Sequence, residues 1–344
     1  MPAASPRRRF LRRQTRLLAM LAGALGAALL APAAQAQSSS QSAVDFPNRP
    51  VTLITPFAPG SGPDAVLRMV GEKLSKLWNQ RVNIENKPGG GGFIAIEAAR
   101  RVAADGYTLL QLDSEHLAAL PHLYKQRGFV TLQTFDPVAV LFRTPFMVTV
   151  SAAGPYKTLG DLVGTAKAAA GTLSYGSWGV GSPGHLGGEQ LEEATGTKMS
   201  HVAFRDVGQL YGNVGSGELA WAWASIPSSQ GVYRAGKLRY LAVAAPKRLP
   251  QLPDVPTVGE AGGPAGFEVN SFVVLAAPKG LSNALRAKIN ADVARAVADP
   301  EVKARFDAFA FETLPWSPEE IIRQAEVKSK VYEALVKRGN ISLE

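Results

Sequence analysis

A short apolar strand, a loop rich in glycine and proline, and an amphipathic helix follow one another twice in this chain, in stretches far apart. The first runs Val51-Thr52-Leu53-Ile54-Thr55-Pro56-Phe57-Ala58-Pro59-Gly60-Ser61-Gly62-Pro63-Asp64 into AVLRMVGEKLSKLW. The second runs Leu173-Ser174-Tyr175-Gly176-Ser177-Trp178-Gly179-Val180-Gly181-Ser182-Pro183-Gly184 into HLGGEQLEEA. Such a loop presents free backbone N–H groups at a helix N-terminus, where the aligned peptide dipoles favour negative charge. One copy in each half of a chain of two-domain length suits a cleft that grips a small anion from both sides.

The rest of the chain repeats this grammar. VTLITPF, RVNIENK, YTLLQLD and VAVLF alternate with helical stretches in the first half, and LSYGS, MSHVAF, LAWAWAS and LRYLAVAA do so in the second. Short apolar runs alternating with longer helices predict an α/β fold of mostly parallel sheet covered on both faces. Each half reads as its own doubly wound domain. FMVTVSAAG and FEVNSFVVLAAPKG, both extended and β-branched, are placed to cross between them and form a hinge. The expected domains are 46–147 with 271–344, and 148–270. Between the last strand of the second half and the return crossing, KRLPQLPDVPTVGEAGGPAGF carries too many prolines and glycines for regular structure.

The amino terminus reads as an export signal, residues 1–36: an arginine cluster RRRFLRR, an apolar run from Leu17 to Ala31 and a small-residue site Ala34-Gln35-Ala36. The run is shorter than a membrane span. Both Tat and Sec export fit, and residues 37–45 read as a tether. Removal of the signal takes away six arginines and lowers the formal charge from +9 to +3 (9 − 6). The remaining cations are scattered among acids, so no nucleic-acid partner is expected. With no cysteine in the chain, disulfides, thiolate metal sites and cysteine nucleophiles are excluded. No metal spacing links the four histidines, which read as hydrogen bonders at helix and strand ends. Trp221 and Trp223 read as core.

Asp64 stands where a helix N-cap belongs, either satisfying the first turn's N–H groups or binding a polar ligand group. Ser114 and Glu115 follow YTLLQLD at the strand's carboxyl end, the side where open α/β sheets bind ligands. Glu115 would disfavour a second ligand carboxylate if it faces the cleft; alternatively it caps the next helix or points to solvent. Arg205 is the candidate charged partner for an anion. Gly179-Val180-Gly181-Ser182-Pro183-Gly184 also satisfies G-x-G-x-x-G, with Asp206 lying 22 residues beyond it (206 − 184), which keeps open an exported nicotinamide-dependent oxidoreductase.

FPNRPVTLITPFAPGSGPD, ENKPGGGGFIAIEAARRVAADGYTLL, TFDPVAVL, LSYGSWGVGSPGHLGGEQLEEATG, HVAFRD, AGKLRYLAV, LPDVPTVGEAG and ADPEVKARF together resemble the substrate-binding receptors of tripartite tricarboxylate transporters, the Bug-type periplasmic receptors. The resemblance runs from Phe46 to the C-terminal helix. It implies a fold like periplasmic binding proteins of type II and a monomer that closes on a small organic acid and delivers it to membrane permease subunits, without catalysis or cofactor. It points to Phe57, Ala58, Gly60, Ser61 and Asp64 in the first loop and to Ser177, Gly179, Ser182 and His185 in the second. Ser61, Pro63, Glu115, Trp178, Phe204 and Asp206 depart from the family's usual residues, which suggests selection by an aromatic or amine-bearing acid stacking on Trp178. A receptor serving a sensor instead of a permease has the same sequence features.

Overall fold

The computed structural model describes residues 45–343. The expected export signal and residues 37–44 of the tether lie outside the described residues. From the amino end come β1 (Val51–Thr55), α1 (Gly62–Trp78), β2 (Val82–Asn86), α2 (Phe93–Arg100), β3 (Thr108–Asp113), α3 (Ser114–Ala118), α4 (Leu120–Leu123), α5 (Thr131–Thr134) and β4 (Phe135–Pro145). A second series follows: β5 (Met147–Ser151), α6 (Leu159–Ala168), β6 (Ser174–Ser177), α7 (Pro183–Thr195), β7 (Ser200–Ala203), α8 (Val207–Ser216), β8 (Trp221–Ala224), α9 (Ile226–Arg234) and β9 (Leu238–Val243). The chain ends with β10 (Asn270–Pro278), α10 (Asn283–Val297), α11 (Pro300–Phe309) and α12 (Pro318–Arg338).

Among the described residues, ten strands make two five-stranded sheets, β2-β1-β3-β10-β4 and β7-β6-β8-β5-β9. The lobes built on them are topological twins. In the first, β1 runs parallel to β2 and β3, while β10 is antiparallel to β3 and β4. In the second, β6 runs parallel to β7 and β8, while β5 is antiparallel to β8 and β9. The sheets are therefore mixed rather than mostly parallel. Helical crossovers impose parallel neighbours, and neither β5 nor β10 is reached through a helix of its own lobe.

Each crossing strand belongs wholly to one sheet, and passage between lobes occupies single residues. Phe146 lies between β4 and β5, and Val269 immediately precedes β10. The Phe146 N–H donates to Val269 O (3.0 Å), the Val269 N–H to Ala244 O (3.1 Å) and the Ala244 N–H to Phe146 O (2.9 Å).

Period-two alternation places the core. Along β10, Val273, Leu275 and Ala277 face a layer of α1, α10 and α11 residues including Leu67, Leu74, Ile289 and Phe306. Phe272, Val274 and Ala276 face the opposite layer with Ile96, Ile321 and Leu335. In β8, Trp221 and Trp223 fill one side of the second sheet and Ala222 and Ala224 the other. Both indoles are fully buried, and truncating either to alanine would remove about 3–5 kcal/mol.

Helix starts follow the chemistry of their caps. Ser182, Ser282 and Ser317 open α7, α10 and α12, with Pro183 and Pro318 at the first helical position. The Ser182 cap explains why α7 begins at Pro183. The helical stretch after β3 is divided into α3 and α4, because Pro121 cannot donate to the preceding turn. Residues 244–269 form turns, with a single bridge from Thr257 to Val243.

Candidate functional site

The first loop closes on a buried carboxylate. Ser61, not Asp64, is the N-cap of α1: its backbone is extended and its hydroxyl accepts the Asp64 N–H (3.4 Å). Asp64 sits one turn inside, 1% exposed, and accepts from the Gly60 N–H (2.8 Å), Asn86 Nδ2 (2.7 Å) and Arg68 Nε (3.0 Å). Burial works against its charge. Arg68, Asn86 and the Gly60 N–H outweigh that cost and hold the carboxyl below its usual range. Asn86 also donates to Phe57 O (3.0 Å), and the Phe57 N–H donates to Thr55 Oγ1 (3.1 Å). The Phe57 ring meets His116 edge-on, with centroids 5.9 Å apart. His116 in turn pairs with Asp113; burial opposes both charges, yet pairing keeps Asp113 below and His116 above their ordinary values. Ala58, Pro59 and Gly60 stay exposed at the loop's tip.

The second loop is held by neutral groups. The Ser182 hydroxyl accepts the His185 N–H (3.4 Å), and His185 Nδ1 accepts the Gly181 N–H (3.0 Å). His185 stacks on His201 with centroids 3.8 Å apart, and His201 Nε2 lies 2.7 Å from Ser177 Oγ. Burial, and for His185 the neighbouring His201, pushes these imidazoles down to about 3 and about 4, so both are neutral at pH 7. Ser177 Oγ also accepts the Gly179 N–H (3.2 Å) and lies 2.9 Å from Gly179 O. Trp178 packs between the two apolar cores of its lobe, its ring 5.3 Å from Phe146. It props the crossing while its ring stays half-buried.

Both loops lie where the lobes meet. A Cβ on Gly62 would stand 3.6 Å from Pro227 Cγ in α9, across the cleft. At Gly181, with φ +78°, it would stand 2.3 Å from Leu123 Cδ1 of the first lobe. Leu186, one helical turn farther, is fully buried among Leu123, Tyr332 and Leu335. Ser61 and Ser182 take the Asp64 and His185 N–H groups, and Pro63 and Pro183 have none to give, so Gly62 and Gly184 supply the one first-turn N–H left for an anion at each helix end.

Ser114 and Glu115 are elsewhere. Asp113, not Glu115, caps α3, and Glu115 is 4% exposed. Its carboxylate accepts from Ser271 Oγ (2.6 Å), Tyr332 OH (2.5 Å) and Ser114 Oγ (3.0 Å), with Lys328 Nζ at 3.8 Å. Burial pushes Glu115 up and Lys328 down, each partly restrained by the other. The group ties the start of β10 to α12, inside the hinge. The cleft, cap and solvent readings of Glu115 are all replaced by this network, since Ser271 and α12 close over the strand end. Arg205 and Asp206 are exposed beyond β7; Asp206 caps α8 through the Gln209 N–H (2.7 Å), and Arg205 has no hydrogen bond or ion pair among the described residues.

Residues 66–341 match the model of the tripartite tricarboxylate transporter family receptor. The chain belongs to this family. An Agrobacterium vitis relative, the UPF0065 protein in the TAR-I ttuE-ttuC' intergenic region, is 32% identical over 304 residues, 88% of this chain and 85% of that protein. The structure of Rpa4515 of R. palustris with adipate is 30% identical, with a TM-score of 0.79 over 87% of this chain and 99% of that one. MatC from Rhodopseudomonas palustris with bound malate is 28% identical, with a TM-score of 0.76 over 85% of this chain and all of that one. The protein is thus a solute-binding receptor with the two-lobed fold of periplasmic binding proteins.

Several of the receptor's loop-shaping residues escape a linear reading. Asn86 is distant in sequence from Asp64, but parallel pairing sets Thr55 opposite Asn86. His201 reaches the second loop because it pairs with Tyr175 across β6 and β7. Leu123 has no sequence signature; only the fold brings it to Gly181.

Proposed function

We propose that the chain is exported to the periplasm, where its lobes close on a small organic carboxylate held between the two loops, and that it hands this ligand to a tripartite tricarboxylate-type membrane transporter. The observation that carries this reading is the pairing of two glycine loops, each opening a serine-capped helix and each lying at the lobe boundary. Backbone donors at two helix ends favour an anion without committing a side-chain charge. Phe57, Ala58, Gly60 and Ser61 on one side, and Ser177, Gly179, Ser182 and His185 on the other, are the proposed contacts, with Asp64 holding the first loop's shape. Arg205 is the proposed partner for a second ligand charge. With Glu115 committed to the hinge, the acid that would have opposed a second carboxylate is removed, which favours a dicarboxylate such as the adipate or malate of the relatives over an amine-bearing acid.

Two features count against the nicotinamide reading. In the dinucleotide fingerprint the second glycine lets a pyrophosphate approach the backbone. Here Leu123 occupies that approach at Gly181, and Asp206 is engaged as a helix cap. Calorimetry and thermal shift of the mature protein against adipate, malate, aromatic acids, amino acids and NAD test the proposal. Saturable stabilisation by a dicarboxylate is the expected result. A bound nicotinamide absorbance band, or stabilisation by NAD alone, would overturn it.

A further inference from the structure

The second loop is wired to the far lobe through a closed ring of contacts. Because His185 Nδ1 accepts the Gly181 N–H, the neutral ring carries its proton on Nε2. That N–H dipole faces the Glu189 carboxylate with Oε1 at 3.9 Å, one turn along α7, a charge–dipole contact longer than a hydrogen bond. Glu189 is 7% exposed, and its other oxygen lies 3.9 Å from Arg338 at the end of α12, an element of the first lobe. Arg338 donates to the Glu189 carbonyl (2.7 Å) and pairs with Glu193 (2.7 Å). Just beyond Arg338, the chain packs Ile341 and Leu343 on the first lobe's core, and the Leu343 N–H donates to Leu123 O (3.1 Å). Leu123 is the residue whose side chain fills the space over Gly181, so the ring returns to its start.

We propose that Glu189 and Arg338 are positioning residues: Arg338 reaches across the lobe boundary to fix Glu189, Glu189 orients His185, and His185 holds the Gly181 amide and hence the shape of the second ligand loop. Loop geometry and lobe contact are then one event. A loop shaped only when the lobes are together binds its ligand in the joined state and loosens as they part. This role rests on the second loop being a ligand loop, but the wiring itself is measurable without ligand.

Hydrogen exchange of the full mature protein reads it directly. In Arg338→Ala and in Glu189→Gln, exchange across 179–186 rises about tenfold, while exchange across 57–64 is unchanged. The double variant adds little to either single one, and Arg338→Lys recovers part of the protection. Unchanged exchange across 179–186 in a folded Arg338→Ala protein overturns the proposal. So does an equal rise in both loops, which would mark ordinary destabilisation. Adipate and malate titrations form a separate arm: wild-type protein that binds neither, yet shows the expected exchange pattern, removes the proposed ligand class and leaves the wiring in place.

Discussion

The two loops begin from the same sequence grammar and are stabilised by opposite means. The first is closed by a charge: Asp64 gathers Gly60, Asn86 and Arg68 around one buried carboxylate, and the loop's tip remains exposed. The second is closed by two uncharged imidazoles and pressed onto the other lobe through Gly181 and Leu123. A charged hub inside one lobe gives a loop whose closing hydrogen bonds all come from its own lobe. A neutral stack in contact with the opposite lobe gives a loop that senses where that lobe is. The difference teaches that helix-end anion sites can share a design while dividing the labour of rigidity and response.

The sharpest way to break this contrast uses two glycines with nearly the same φ, Gly60 at +80° and Gly181 at +78°. Gly181→Ala adds overpacking against Leu123 to left-handed strain and is expected to cost about 3 kcal/mol of stability by urea denaturation. Leu123→Ala in the same protein should return part of it. Asp64→Ala leaves Arg68, Asn86 and the Gly60 N–H without their common acceptor, with an expected cost of about 2 kcal/mol, moderated because Arg68 is half exposed.

Acid should separate the loops next. The histidines' folded values are depressed to about 3 and about 4 from 6.5, so the native state binds fewer protons and their contribution is whole above pH 6.5 and lost as pH falls through those folded values. The loss steepens to about 1.4 kcal/mol per pH unit for each histidine. Asp64 has a lowered value too, which keeps its contribution intact until pH falls below the ordinary aspartate range. Exchange of residues 179–186 should therefore accelerate between pH 6 and pH 4.5 while that of 57–64 does not; equal acceleration would erase the contrast. Gly60→Ala meets nothing within 4 Å and should cost only backbone strain, about 1 kcal/mol. Arg205→Ala is the mildest for stability, within about 0.5 kcal/mol, and its readout is weaker adipate binding.

The architecture was legible wherever periodicity and caps act locally. Pro300–Phe309 and Pro318–Arg338 are helices that start at the prolines their sequence offers, and the alternation in LAWAWA places two tryptophans on one face. Both glycine loops were legible because glycine, proline and serine announce a turn into a helix. What sequence order hides is register. Ser61 and Asp64 are both competent caps by composition, and the choice falls to Ser61 because Asn86 and Arg68 arrive from β2 and α1 to claim the carboxylate. Glu115 is hidden in the same way: a charged residue after a strand reads as exposed until α12, more than two hundred residues later, supplies Lys328 and Tyr332. Antiparallel β5 and β10 follow from connections, not from the strands' own composition.

The paired crossing carries one more consequence. Pro145 at the end of β4 stands directly opposite Asn270 at the start of β10, in antiparallel register. Without the intervening residues, those strands are the two arms of a β-hairpin, and the whole of 146–269 occupies the place of its turn. The receptor is in this sense a single-lobed protein whose hairpin turn has been replaced by a second copy of the same topology. An Asn-Gly turn joining Pro145 to Asn270 is expected to close the first lobe as an independently folding unit, since both ends of the excised segment already meet.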